Sequence, residues 1–193
     1  MKLKLIFLAL VLLSTQAYCQ LKNNFSLVYG AGLNTISSIG IGGPGYEGKV
    51  GKIYGFNYSR NITKVFSIET GLEYSVNNVL RNFEDAYNPY FTPQKGSIKM
   101  LSVPIYANFT FLKYLFADAG IIADFETNYY SNSITPKQSG IGINVGTGYK
   151  FNFNKIFIFV NSFLQVHSVI AFQNDDNSSL INLDAKFGIG YRF

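Results

Sequence analysis

From Ile181 to Phe193 the chain alternates without a break. Ile181, Leu183, Ala185, Phe187, Ile189, Tyr191 and Phe193 fall on one parity, and Asn182, Asp184, Lys186, Gly188, Gly190 and Arg192 on the other. Period two is the period of a strand, whose successive side chains point to opposite faces. An apolar face set against a charged and small-residue face, sustained over ten or so residues, suits a strand between lipid and a wet lumen.

The same alternation recurs in seven further segments. Phe25–Asn34 sets Phe25, Leu27, Tyr29, Ala31 and Leu33 against Ser26, Gly30, Gly32 and Asn34. Val50–Arg60 sets Tyr54, Phe56 and Tyr58 against Gly55, Asn57 and Ser59. Lys64–Val76 sets Phe66, Ile68, Leu72 and Tyr74 against Ser67, Glu69, Gly71 and Glu73. Ile98–Thr110 sets Leu101, Val103, Ile105, Ala107 and Phe109 against Ser102, Pro104, Tyr106 and Asn108. Tyr114–Glu126 sets Leu115, Ala117, Ala119, Ile121, Ala123 and Phe125 against Asp118, Gly120, Asp124 and Glu126. Gly140–Phe151 sets Ile141, Ile143, Val145, Tyr149 and Phe151 against Gly142, Asn144, Gly146, Gly148 and Lys150. Ile156–Ile170 is less regular. Turning Ile158, Val160, Leu164 and Val166 to lipid sends Phe157, Phe159 and Phe163 inward with Asn161, Gln165 and His167, which suits a bulge or a mixed strand.

The connections alternate in length. Arg60–Lys64, Phe111–Lys113 and Asn152–Lys155 are short, whereas Thr35–Lys49, Asn77–Ser97, Thr127–Ser139 and Ala171–Ser178 are long. Long and short in strict turn is the pattern of an up-and-down meander with long external loops and short periplasmic turns, which puts both termini on the periplasmic side. An open sheet edge is not tolerated in hydrocarbon, so the first strand must pair with the eighth. The expected fold is all-β: an eight-stranded antiparallel up-and-down transmembrane β-barrel. Tyr54, Tyr74, Phe109, Phe125, Tyr149, Phe151, Tyr191 and Phe193 lie near strand ends, as interfacial girdles require.

The N-terminus fits export. Lys2 and Lys4 precede the apolar run Leu5–Leu13, too short for a transmembrane helix but suited to a signal peptide. Ala17 and Cys19 give small residues at −3 and −1, so residues 1–19 are expected to be a signal peptide cleaved before Gln20, and residues 20–193 the barrel domain. Cys19 is the single cysteine; acylation there would want a small residue before it, and Tyr18 is large. Of the formal charge of +5, Lys2 and Lys4 supply two, and the remaining basic residues are scattered, so nucleic-acid binding gains no support.

Short motifs carry a resemblance. Met100-Leu101-Ser102-Val103-Pro104-Ile105-Tyr106-Ala107-Asn108-Phe109, the following Ala117-Asp118-Ala119-Gly120 and the terminal Gly190-Tyr191-Arg192-Phe193 are similar to the PorT-like outer-membrane β-barrel family. The resemblance implies an eight-stranded barrel of OmpA/OmpX shape, integral to the bacterial outer membrane. One branch of that family belongs to a secretion and gliding apparatus. Tyr191 and Phe193 also resemble the C-terminal assembly signal of Gram-negative outer-membrane barrels, which implies the barrel assembly machinery as a partner.

Several residues invite chemistry. Gly140, Gly142, Gly146 and Gly148 lie within a strand pattern, not at a strand-to-helix turn, so they read as small lumenal residues and not as a nucleotide loop. His167-Ser168 is the one His–Ser pair, but neighbours on a regular strand face opposite ways, which argues against a lipid hydrolase. Asn174-Asp175-Asp176-Asn177 lacks the ligand spacing of a calcium loop. The long loop carries Phe83, Tyr87, Tyr90 and Phe91, a candidate binding face.

Glu69, Glu73, Asp118, Asp124, Lys150, Asp184, Lys186 and Arg192 form an expected lumenal charge cluster, in which opposite charges should pair into a polar plug. No catalytic, cofactor or metal site is expected. The reading is a non-enzymatic integral outer-membrane barrel that contacts lipids and, through its loops, an envelope protein or a surface ligand. A subunit of a secretion or motility apparatus and a soluble lipocalin-like carrier of an apolar ligand stand as alternatives.

Overall fold

The computed structural model describes residues 23–38, 45–82, 94–128, 135–172 and 178–193. These hold nine strands: β1 Asn23–Ser38, β2 Gly45–Gly48, β3 Val50–Asn61, β4 Phe66–Asn82, β5 Gln94–Phe111, β6 Leu115–Glu126, β7 Gly140–Phe153, β8 Ile156–Ala171 and β9 Ser178–Arg192. All pair antiparallel. β1 pairs with β9 over Asn24↔Arg192 to Ser38↔Ser178, and the β4–β5 pairing closes the circle. The ring thus has eight staves. The short β2 continues β3 along β4 after a break at Lys49, whose N–H bonds the Asn78 carbonyl at 3.1 Å. The backbones of Asn23 and Phe193 bond each other reciprocally at 2.8 and 2.9 Å, so no open edge remains at that end.

The facing of each strand follows its alternation. Leu27, Leu33, Ile105, Ile121, Val145, Leu183 and Ile189 stand exposed on the outer surface, while Ser26, Asn57, Asn144, Asn182 and Lys186 are buried within. A soluble carrier requires the reverse arrangement, so that alternative falls. Tyr54 packs on Tyr74, Phe66 on Phe109, Tyr114 on Phe151 and Phe125 on Phe172, with centroids 4.9–5.9 Å apart, giving aromatic contacts toward both ends of the outer wall.

The strands run further than the alternation suggests. Thr35–Ser38, Asn77–Asn82 and Gln94–Ser97, read from the sequence as loop, belong to β1, β4 and β5. In this upper part the polarity inverts. Ile36, Val79, Ile98, Met100 and Leu180 point inward and form a buried apolar layer against which Tyr46 packs, while Thr35, Ser37, Lys95 and Lys99 face outward. About ten residues per strand are enough to cross the hydrocarbon. The extra length stands in water, where the apolar side belongs inside.

β8 contains the irregularity its sequence suggests. Its pairing with β7 shifts between Ile141↔Ile170 and Ile143↔Val166, leaving His167, Ser168 and Val169 opposite Gly142 alone. Ser168 takes φ 54°, and both His167 and Ser168 are buried. The expectation that this pair faces opposite ways is therefore corrected: the bulge breaks the alternation and turns the serine inward as well.

The inward phenylalanines of β8 also have an explanation. Phe157 and Phe159 join Phe116 and Val28 in a second apolar cluster near the end that carries both termini. Opposite them, β9 offers glycine. A Cβ on Gly188 would lie 2.2 Å from the Phe159 ring, and one on Gly190 2.2 Å from the Phe157 ring. The glycines leave the room that the rings fill.

Candidate functional site: the lumenal polar core

Between the two apolar layers lies a polar belt. It is built because one strand face in every stave is committed to lipid and the opposite face must fill a narrow interior with whatever hydrogen bonds to itself. At its centre the Lys186 ammonium donates to Glu73 Oε1 at 2.9 Å, with both side chains 1% exposed. The same ammonium sits over the Phe163 ring at 4.8 Å and the Tyr106 ring at 5.3 Å. Gln165 Nε2 donates to the Tyr106 hydroxyl at 3.0 Å, which fixes that ring across the bore.

The other carboxylates are held mainly by neutral hydrogen-bond donors. Asp118 accepts from Asn144 Nδ2 at 2.6 Å and Asn161 Nδ2 at 2.7 Å. Glu69 accepts from Asn57 at 2.7 Å and Asn108 at 3.3 Å. Asp124 accepts from Ser102 Oγ at 2.6 Å and meets His167 Nδ1 at 2.8 Å. Asp184 receives Asn182 Nδ2 at 3.5 Å. Direct lysine pairing holds for Glu73; amides and a hydroxyl serve most of the rest. Asn57, Asn108, Ser102 and Asn144 each lie on a strand adjacent to the carboxylate they serve. Gly146 assists: the position its Cβ would take is 2.9 Å from both Asp118 carboxylate oxygens.

The two remaining expected members lie toward the end that carries the termini. Lys150 packs its ammonium 4.8 Å from the Phe157 centroid and lines a hollow with Glu69, Ser26, Ser59, Asn108 and Asn161. Arg192 reaches Asn24 Oδ1 at 3.2 Å and Asn152 Oδ1 at 2.5 Å on the rim. Tyr191 and Phe193 face outward. The residues 1–19, Phe83, Tyr87, Tyr90, Phe91 and Asn174–Asn177 lie outside the described residues.

Asp124 and His167 make an acid–imidazole pair, but among the described residues no hydroxyl hydrogen-bonds to His167 Nε2, as nucleophile activation would require. Among the described residues no group of three or more His, Cys, Asp and Glu could hold a metal ion. Asn57, Asn108, Asn144 and Asn161 were legible as inward positions, though not as the carboxylates' partners. Gln138 was not legible at all. It lies in a segment read as loop, yet it is fully buried and bonds the backbone of β9.

Solved structures of other proteins share this architecture. OprG from Pseudomonas aeruginosa superposes with a TM-score of 0.58 at 11% identity, covering 89% of this chain and 95% of that one. AlkL, determined by solid-state NMR in lipid bilayers, gives 0.55 at 8% identity, covering 92% of each chain. Neisserial surface protein A gives 0.50 at 15% identity, covering 88% and 97%. At these identities the likeness concerns the fold. No curated protein matches the chain. Residues 5–193 match the family described as the outer membrane protein beta-barrel domain. With its closed eight-stave ring and greasy exterior, the chain belongs to that family and is a small integral outer-membrane β-barrel protein.

Proposed function

We propose that the protein is a closed, non-catalytic barrel that holds its loop end at the cell surface to contact an envelope protein or a surface ligand. The observation that carries this is the filled bore. Tyr106, Phe163, Lys186, Gln165 and Glu73 are all almost wholly buried within the lumen, between an apolar layer above and another below. A bore filled in this way supports a role at its ends, not a conduit. The short turns and both termini face the periplasm in this reading, and the long loops face outward.

The motif Met100–Phe109 supports a place among the PorT-like barrels. Cleavage before Gln20 and delivery to the barrel assembly machinery through Tyr191 and Phe193 complete the proposal. The test has two arms. Purified protein in planar bilayers should show no stable large conductance, and steady porin-like currents would overturn the plug. Cross-linking on intact cells, followed by recovery in mild detergent, should yield a defined partner or polymer attached at the loop end. Cross-links confined to the short-turn end would overturn the proposed contact face.

A further inference from the structure

At the loop end two stretches of the wall are completed by side chains in place of strands. Among the described residues, β8 and β9 pair as far as Val166↔Ile181. Beyond that point the bulge at His167–Val169 carries β8 along β7 to Ala171, while β9 continues beside β1 to Ser178. Among the described residues, no strand covers the β8-facing edge of β9 there, and an uncovered edge presents bare backbone groups. Gln138 takes them. Its Oε1 accepts the Leu180 N–H at 2.8 Å and its Nε2 donates to the Ser178 carbonyl at 3.2 Å. A neighbouring strand residue would offer that edge the same donor and acceptor.

The opposite flank repeats the device. β5 and β6 pair up to Met100↔Glu126. Above that pair, Asn128 Oδ1 accepts the Lys99 N–H at 2.7 Å and Asn128 Nδ2 donates to the Ser97 carbonyl at 2.7 Å. In both places one amide side chain spans the C=O of one residue and the N–H two further on. The flanks differ in reinforcement. Thr127 N–H also bonds the Lys99 carbonyl at 2.8 Å, so backbone ties β5 to β6 beside Asn128. Next to Gln138 the backbone bond from Phe172 N–H to the Ser139 carbonyl at 3.1 Å joins β8 to the approach to β7, not to β9.

We propose that Gln138 is a strand surrogate that latches β9, and that the β8–β9 seam above Val166 and Ile181 is where the barrel wall opens. Opening frees the Ser178–Leu180 edge and exposes Leu180, otherwise fully buried in the upper apolar layer. Segments held by few bonds open locally while the rest of a fold stays closed. Asn128 is the reinforced counterpart and keeps the other flank shut.

Amide hydrogen exchange on the full chain in detergent micelles tests this. In the unaltered protein the Leu180 amide should exchange at least about tenfold faster than that of Asn182, two residues along the same edge where β8 is still paired. Gln138→Ala should accelerate Leu180 about tenfold further and leave Asn182 and β1 unchanged. Gln138→Glu keeps an acceptor for Leu180 and should fall between the two. Equal protection of Leu180 and Asn182 in the unaltered protein would overturn the seam. Unchanged Leu180 exchange in Gln138→Ala, or acceleration spread evenly around the ring, would overturn the latch.

Discussion

Lys186 on β9 and Glu73 on β4 meet at 2.9 Å across the bore, 113 residues apart in sequence, and neither is open to solvent. The pair joins two staves that are not hydrogen-bonded neighbours, with β1 and β3 between them. It ties these two staves through a fully buried pair of opposite charges.

Breaking that tie should be costly. Lys186→Met leaves the Glu73 carboxylate buried without its cation and should destabilise the barrel by about 3–5 kcal/mol. Adding Glu73→Gln removes the stranded charge and should restore most of the loss. Urea titration in micelles, followed by far-UV circular dichroism because the chain has no Trp, measures both. Equal loss in the single and double variants would contradict the pairing.

The glycines of β9 should resist enlargement. Gly188→Ala drives a methyl into the Phe159 ring, which Phe157 and Phe116 hold at centroid distances of 6.2 Å. A cost of about 1–3 kcal/mol is expected. Phe159→Leu in the same chain should recover part of it. The urea midpoints of the unaltered protein and these two variants give the comparison.

Assembly should depend on the last residue. Phe193 is exposed on the outer wall, and its backbone closes the ring against Asn23. Deleting Phe193 should lower the yield of membrane-inserted barrel several-fold while synthesis continues. Heat-modifiable mobility of the outer-membrane fraction on gels reports it, and an unchanged yield would refute the role.

Orientation can be read by labelling. On a Cys19→Ser background, a cysteine in place of exposed Lys95 at the loop end should react on whole cells with a membrane-impermeant maleimide. Cysteines in place of Lys113 or Asn154, in the short turns, should react only after the outer membrane is permeabilised. The opposite pattern would invert the proposed topology.

The eight staves and their facing were legible because lipid imposes a strict parity. Leu27 or Ile121 on the wrong parity would put an apolar group in the polar belt and a polar group in hydrocarbon. The same rule fails where lipid ends. Ile98 and Met100 share a parity with Ser102 and Tyr106, yet they are apolar because their outward neighbours Lys95 and Lys99 meet water. Thr35–Ser38, Asn77–Asn82 and Gln94–Ser97, beyond that limit, therefore looked like loops. The bulge was visible only as discomfort over Phe157, Phe159 and Phe163; its placement at Ser168 depends on a backbone angle that alternation does not encode. The cluster members were legible as inward charges. Their partners were not, because Asn144 and Lys150 share β7 and the choice between them for Asp118 is decided by register: Asp118 stands opposite Gly146, nearer to Asn144. Gln138 left no trace, since a single buried amide in a loop has no period.

The inversion of polarity along the upper strands also sets how deep the molecule rides. On β1 the outward side changes from Leu33 to Thr35, on β5 from Leu101 to Lys99, and on β9 from Ile181 to Ser179. These positions trace a waterline around part of the hull. Raising the barrel would lift Leu33 and Leu101 into water, and sinking it would drown Lys99 and the outward serines. Draught is thus written in side chains and not in strand length. Evolution can lengthen the superstructure above that line, changing how far the surface reaches without changing where the vessel floats.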